Sequence, residues 1–261
     1  MDDLLEIAID IGLAAHLGAV RELARYSMRL TVLPATNGRR RPQVSGRAQR
    51  PDGVLLGLTL SEMSSSIPIF SPPLRGTLVF VQDTPRSCTV VLDDGEDNSP
   101  NAAWGAAGDS SLSIGMSAEL VLPRVWSEPV QALELDQAGQ TAWIALRERL
   151  AALQEVALHS EDPDPSVIHR LLGYPDERTG DMALACELLA CGIDLDGVPP
   201  FAHPRAAELG PRSTRWRMLL QLSADDLVGW NWGSQDARLY VWIDTADLAA
   251  GEFSRTRAIV R

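Results

Sequence analysis

The run Leu239–Tyr240–Val241–Trp242–Ile243 sets the tightest constraint on what this chain can fold into. Side chains alternate across a strand, and here both alternating sets are large and apolar, so neither face can meet water. Such a strand lies inside its sheet and is covered on both sides. Trp216 to Leu222 makes the same demand through Met218, Leu219, Leu220 and Leu222, interrupted by Gln221, whose amide needs hydrogen-bond partners once buried. Between the two runs, Ser223 to Arg238 is acidic and tryptophan-rich, with the length of a functional loop or of a short helix and a turn. Ser223 followed by Ala224, Asp225 and Asp226 has the composition of a helix N-terminus, since a side-chain oxygen caps free N–H groups and carboxylates suit the helix dipole.

An earlier stretch repeats this arrangement. VLLGLTLSEM from Val54 aligns with MLLQLSADDL from Met218, and GTLVFVQD from Gly76 aligns with ARLYVWID from Ala237. Strand, connector and strand thus occur twice, about 160 residues apart, as an internal duplication would leave them. The expected fold is α+β in a single domain over 1–261. It has mainly antiparallel strands from two related strand–connector–strand units, packed helices, and halves of approximately 1–158 and 159–261.

Apolar residues at three- and four-residue steps predict an amphipathic helix or helix pair from Asp2 to about Arg29, with Arg21, Arg25 and Arg29 at its favourable C-terminal end. A second helix is expected from about Asp136 to Leu158, packing Trp143, Leu146, Leu150, Leu153 and Ala157 on the core. A third starts at Gly180–Asp181, carries Met182, Leu184, Ala185, Leu188 and Leu189, and stops at Gly192. His169 to Pro175 reads as a short helical turn, Cys88 to Leu92 as a strand, and Ser61 to Pro73 as a turn-rich connector. Asp93 to Ser117, rich in Gly, Ser, Ala and Asp apart from Trp104, reads as surface loop. Pro34 to Gly53 gathers Pro, Gly and the arginines between Arg39 and Arg50; it reads as a solvated connector, or as an anion-binding loop if Arg39, Arg40 and Arg41 clamp a phosphate or an acidic partner.

Charge narrows the functions. At net −12, the protein as a whole repels a nucleic-acid backbone. All 23 basic residues are arginine, which excludes a lysine Schiff base, a P-loop lysine and a Ser–Lys dyad. Cys88, Cys186 and Cys191 have neither disulfide-framework nor zinc spacing and are expected as buried free thiols. No metal or cofactor motif occurs. No apolar run reaches the roughly 20 residues that span a bilayer, and Asp2, Asp3 and Glu6 are unlike the basic start of a signal peptide. The expected setting is cytoplasmic.

HRLLGYPD (His169 to Asp176), GDM (Gly180 to Met182), WRMLLQL (Trp216 to Leu222), WNWG (Trp230 to Gly233), RLYVWI (Arg238 to Ile243) and DLAAGEFS (Asp247 to Ser254) follow one another over almost a hundred residues. In this order they resemble the YwqG-like bacterial proteins, a family of unknown function. Val54 to Asp83 looks like that family's first strand pair, but the Gly- and Pro-rich motif ending in Trp-Pro that usually precedes it is missing from Pro34 to Gly53. The resemblance implies an α+β fold with antiparallel strands. It brings no activity and no catalytic residue.

Three functions are weighed. A non-enzymatic module would capture a protein or peptide, a basic one given the acidic surface, with Trp230 and Trp232 either presented to it or folded over the core; by family analogy this would be an accessory or immunity-like role. An enzyme would use His169 with Asp225 and Asp226, near Asp244 and Asp247 if the strands bring them together. A small-ligand binder would hold a sugar or nucleotide in a cleft between the halves, lined by His169, Tyr174, Arg217, Trp232 and Arg238. The first is the expectation. The candidate ligand-binding residues are His169, Tyr174, Arg217, Asp225, Asp226, Trp230, Trp232 and Arg238, with no catalytic residue assigned.

Overall fold

The computed structural model describes residues 1–33, 46–48, 54–60, 76–84, 87–93, 112–157, 168–176, 181–195, 197–225, 229–230, 232–234 and 236–261. Its strands are β1 (Arg25–Leu33), β2 (Gly46–Ala48), β3 (Val54–Thr59), β4 (Thr77–Thr84), β5 (Ser87–Asp93), β6 (Leu112–Val121), β7 (His169–Leu171), β8 (Trp216–Ser223), β9 (Arg238–Asp244) and β10 (Arg257–Val260). The α-helices are α1 (Asp2–Asp10), α2 (Leu17–Leu23), α3 (Glu128–Gln131), α4 (Gln137–Ala157), α5 (Met182–Ala190), α6 (Ala206–Ser213) and α7 (Thr245–Ala250). The fold is α+β, and the strand pairs of the described residues are antiparallel. Among the described residues no helix is long and apolar enough to cross a membrane.

The strands form one sheet in the order β10, β9, β8, β7, β1, β6, β2, β3, β4, β5. Read from the other end, with β1 to β5 exchanged for β6 to β10, the order is the same. Register obeys the same exchange: Val54↔Val81, Leu56↔Phe80 and Leu58↔Leu78 in β3–β4 match Met218↔Trp242, Leu220↔Val241 and Leu222↔Leu239 in β8–β9. A bulge breaks both ladders at the corresponding place, between Val54 and Leu56 and between Met218 and Leu220. Each set of five strands lends its first to the other: β1 lies between β6 and β7, and β6 between β1 and β2.

The sheet curls until its outer strands β5 and β10 come within 8 Å of each other. Inside the curl, Leu56, Leu58, Leu78, Phe80 and Val90 meet Leu220, Leu222, Leu239, Val241 and Ile243, with Met28, Leu30, Ile114 and Leu171 between them. Outside, α1, α2 and α4 bury Leu4, Ile7, Val20, Trp143 and Leu146 with Leu122, just beyond β6. Met182 and Cys186 of α5 cover Trp216, Met218, Tyr240 and Trp242. Both faces of β9 are therefore buried, as its sequence demands. The Gln221 amide finds its partners: Nε2 donates to Ile168 O at 3.2 Å, and Oε1 accepts the Asp176 N–H at 2.8 Å.

Several expectations change. The N-terminal helices end at Leu23, and Arg25 to Arg29 belong to β1, where Met28 and Leu30 point inward and Ser27 is buried on the other face. Pairing on both sides overrides the helical spacing there. His169–Leu171 is strand β7 rather than a helical turn, too short for its alternation to be read; the turn follows it, with Leu172 and Gly173 both at positive φ. Residues 112–117 extend β6, turning Ile114 inward between the small residues Ser113 and Gly115. Leu153 is 54% exposed and lies off the buried stripe of α4, which Trp143, Leu146 and Leu150 form. Cys191 is exposed, unlike Cys88 and Cys186. Ser223 caps no helix; it closes β8, its hydroxyl donating to Ile168 O at 3.0 Å, and Asp225 exchanges backbone hydrogen bonds with Trp230. Arg39 to Arg41, Arg50, the 61–75 connector, 94–111 with Trp104, and Asp226 lie outside the described residues.

Candidate functional site

The segment His169 to Asp176 is bound into the sheet at almost every residue. His169 is buried; its Nε2 lies 3.2 Å from Asp225 Oδ2 and its Nδ1 accepts the Ser223 N–H at 3.2 Å. Trp230 packs edge-on against the ring, with centroids 4.9 Å apart. Arg170 Nε donates to Glu119 Oε1, which also accepts the Ser27 hydroxyl at 2.8 Å. Gly173 has φ +82, and a Cβ there would lie 2.6 Å from Ser27 Cβ. Asp176 receives Arg124 and Arg238, the latter at 2.6 Å, and its carbonyl accepts the Tyr240 hydroxyl at 3.2 Å.

What this lattice leaves open lies next to it. On the outer face of the sheet, under α4, is a pocket of about 100 Å³. Strand register sets Arg29 of β1 directly opposite Arg170 of β7, and α4 adds Arg147 to the same lining. Side-chain hydrogen bonds hold the helix there: Trp143 Nε1 donates to Pro123 O at 2.9 Å, Arg147 Nε to Leu122 O at 3.1 Å and Gln154 Nε2 to Leu120 O at 3.0 Å, while Gln154 Oε1 accepts the Leu120 N–H at 2.5 Å. Burial, aided by the charges of Arg124 and Arg170 and opposed by Glu148, pushes the Arg147 guanidinium down to about 10. Among the described residues Glu119 is the one carboxylate in the lining, and Ser27 and Arg170 both bond its Oε1.

Tyr174 forms another wall. Arg25 sits over its ring at 4.3 Å, and the phenolic oxygen is buried with no hydrogen-bond partner. Burial pushes that phenol above its ordinary value while Arg25 pulls the other way. Serine, cysteine and histidine are absent from the described lining. The arrangement offers hydrogen-bond donors and positive charge to something small.

A family model described as a domain of unknown function, DUF1963, matches residues 89–261. The chain belongs to this family. No curated protein matches it. The DUF1963 match takes in the segment His169 to Asp176, α4 and most of the pocket, but not Arg25, Ser27 and Arg29 of β1, which the exchanged strand brings in from outside the matched segment.

The candidate residues read from this DUF1963 sequence separate into groups. His169, Asp225 and Trp230 come together as a buried clamp, and Trp232 packs against the inner core. Arg238 is tied to Asp176. Arg217 lies opposite Ile243 near the start of β8, whereas His169 meets Ser223 at its end; six extended residues put these sites about 20 Å apart. Asp225 and Asp244 are likewise at opposite ends of the β8–β9 hairpin, and Asp244 caps α7 by accepting the Ala246 N–H at 2.8 Å, so the acidic group imagined from the connectors does not assemble. Of the candidate residues that are described, only Tyr174 lines the pocket. Its arginines were missed because Arg29 reads as a helix end and Arg147 as a solvated helix face; Arg170, inside the matched motif, was the one available signal.

Proposed function

We propose that this DUF1963 protein is a non-enzymatic binding module that holds a small ligand in the pocket between α4 and strands β6, β1 and β7. One observation carries the reading: arginines from β1, β7 and α4 converge on a single recess in a chain of net charge −12. Buried like charges are costly in a folded protein and concentrate where a ligand offsets them. His169 and Asp176, the most chemically suggestive motif residues, are engaged in holding strands together, which favours binding over acid–base catalysis. The test is a thermal-shift screen of metabolites against wild type and Arg147→Gln. Ligands that stabilise only the wild type support the pocket, and ligands that stabilise both variants equally remove it from the account.

The matched strand order, register and bulges support descent from a duplicated unit. The repeat then runs from β1 to β5 and again from β6 to β10, a division between 93 and 112 instead of at 158. Within DUF1963, the motifs from HRLLGYPD to DLAAGEFS favour the YwqG-like group, and free thiols at Cys88, Cys186 and Cys191 suit a bacterial cytoplasm.

A protein or peptide partner is a second reading, with a different surface from the one its sequence points to. Trp230 is 4% exposed, while Phe201 is 68% exposed with Val198 near it in the chain. Phe201→Ala should weaken capture of such a partner, whereas a partner retained by Phe201→Ala would have to dock elsewhere.

A further inference from the structure

The small-ligand reading can be taken further from the groups that line the pocket. Several of its acceptors are in use: Glu119 Oε1 takes Ser27 and Arg170, Leu122 O takes Arg147 Nε, and Leu120 O takes Gln154. The Gln154 amide is also spent, with Oε1 accepting the Leu120 N–H. Two donors remain. Arg147 makes no protein hydrogen bond through its Nη groups among the described residues, and the Tyr174 hydroxyl is buried with no partner. A buried donor left unmade costs the full desolvation of that group, so the Tyr174 hydroxyl points to a ligand that accepts, and Arg147 brings positive charge to the same lining.

Charge and volume agree. Arg29 and Arg170 are cross-strand neighbours on β1 and β7, and Arg170 is paired with Glu119. Arg147 adds a third guanidinium in the same lining, and guanidinium forks suit oxyanions. At about 100 Å³ the recess is far smaller than pockets that enclose a drug-sized molecule. It takes a charged head, with any remainder of the ligand outside.

Resting on that reading, we infer that the pocket binds a phosphate-type oxyanion, either the free ion or the phosphoryl head of a larger metabolite, with Arg147 and the Tyr174 hydroxyl as its principal donors. The experiment is calorimetric titration at low ionic strength of inorganic phosphate, phenyl phosphate, acetate and glucose into wild type, Tyr174→Phe and Arg147→Gln, each checked for folding by its melting curve. Phosphate should bind the wild type, and each folded variant should lose affinity at least tenfold. Tighter binding of phenyl phosphate would identify a phosphorylated metabolite as the source, and weaker binding the free ion. Equal phosphate affinity in all three proteins would overturn the inference. So would acetate or glucose binding that depends on Arg147 while phosphate fails, although the small-ligand reading would then stand. If no small molecule binds, both fall.

Discussion

His169 Nε2 lies 3.2 Å from Asp225 Oδ2 while its Nδ1 accepts the Ser223 N–H, so both ring nitrogens join β7 to the end of β8 and the residues beyond it. With Nδ1 an acceptor, Nε2 carries the proton and donates it. Removing the ring leaves the buried Ser223 amide without its acceptor and opens a void beside Trp230. His169→Ala should therefore cost about 2–4 kcal/mol in urea unfolding while leaving pocket affinity intact. Unchanged stability with lost ligand binding would return His169 to the functional site.

Gly173 is required twice over. Its φ of +82 suits glycine, and an added Cβ would stand 2.6 Å from Ser27 Cβ and 2.8 Å from Val121 Cγ2. Gly173→Ala should destabilise by about 3 kcal/mol or more, from backbone strain together with displacement of β1 or β6. A chemical-denaturation midpoint near that of wild type would show that the turn closes on the sheet less tightly than described.

Tyr174→Phe separates stability from binding. It keeps the ring under Arg25 and removes a buried hydroxyl that lacks a partner, so without ligand the variant should match or exceed wild-type stability by about 1 kcal/mol. Its pH dependence has a definite sign. The phenol's folded pKa is raised above its ordinary 10.0, so the neutral phenol's contribution is fully present below that value. As pH rises through the window between the unfolded and folded pKa values, the unfolded chain loses its proton first and the wild type loses stability relative to Tyr174→Phe. Denaturation at pH 9 and above compares the two, and a wild type that gains on the variant would contradict the burial of this hydroxyl.

Residues 89–261, the span of the family match, should not fold alone. β1 fills the place between β6 and β7, and without it both strands lose a partner and the inner core loses Met28 and Leu30. Circular dichroism and size exclusion should show an unfolded or aggregated fragment, restored when residues 1–88 are supplied as a separate chain. A cooperative, monomeric melt of the fragment would argue against the exchanged strands.

The contrast between β9 and β1 explains what could be read in advance. β8 and β9 were legible because both faces of each are apolar, leaving burial as the only solution. β1 was not, since its outer face carries Arg25, Ser27 and Arg29, and those residues at their spacing read equally well as the polar end of a helix. β7 has too few residues for a period. The pocket was hidden for a related reason: Arg29, Glu119, Arg147 and Arg170 come from four separate elements, and only the register of β1 against β6 and β7 brings them to one place.

The most direct test uses the arginine side chains themselves, since this chain has no lysine to compete for an anion. In a proton–nitrogen correlation spectrum at low ionic strength, titrated inorganic phosphate should move the Nε–H resonances of Arg147, Arg29 and Arg170 together and saturably. Arg205, surface-exposed and paired with Glu208, should stay in place. Shifts spread evenly over exposed arginines, with Arg147 unmoved, would contradict a phosphate-binding pocket between α4 and the sheet.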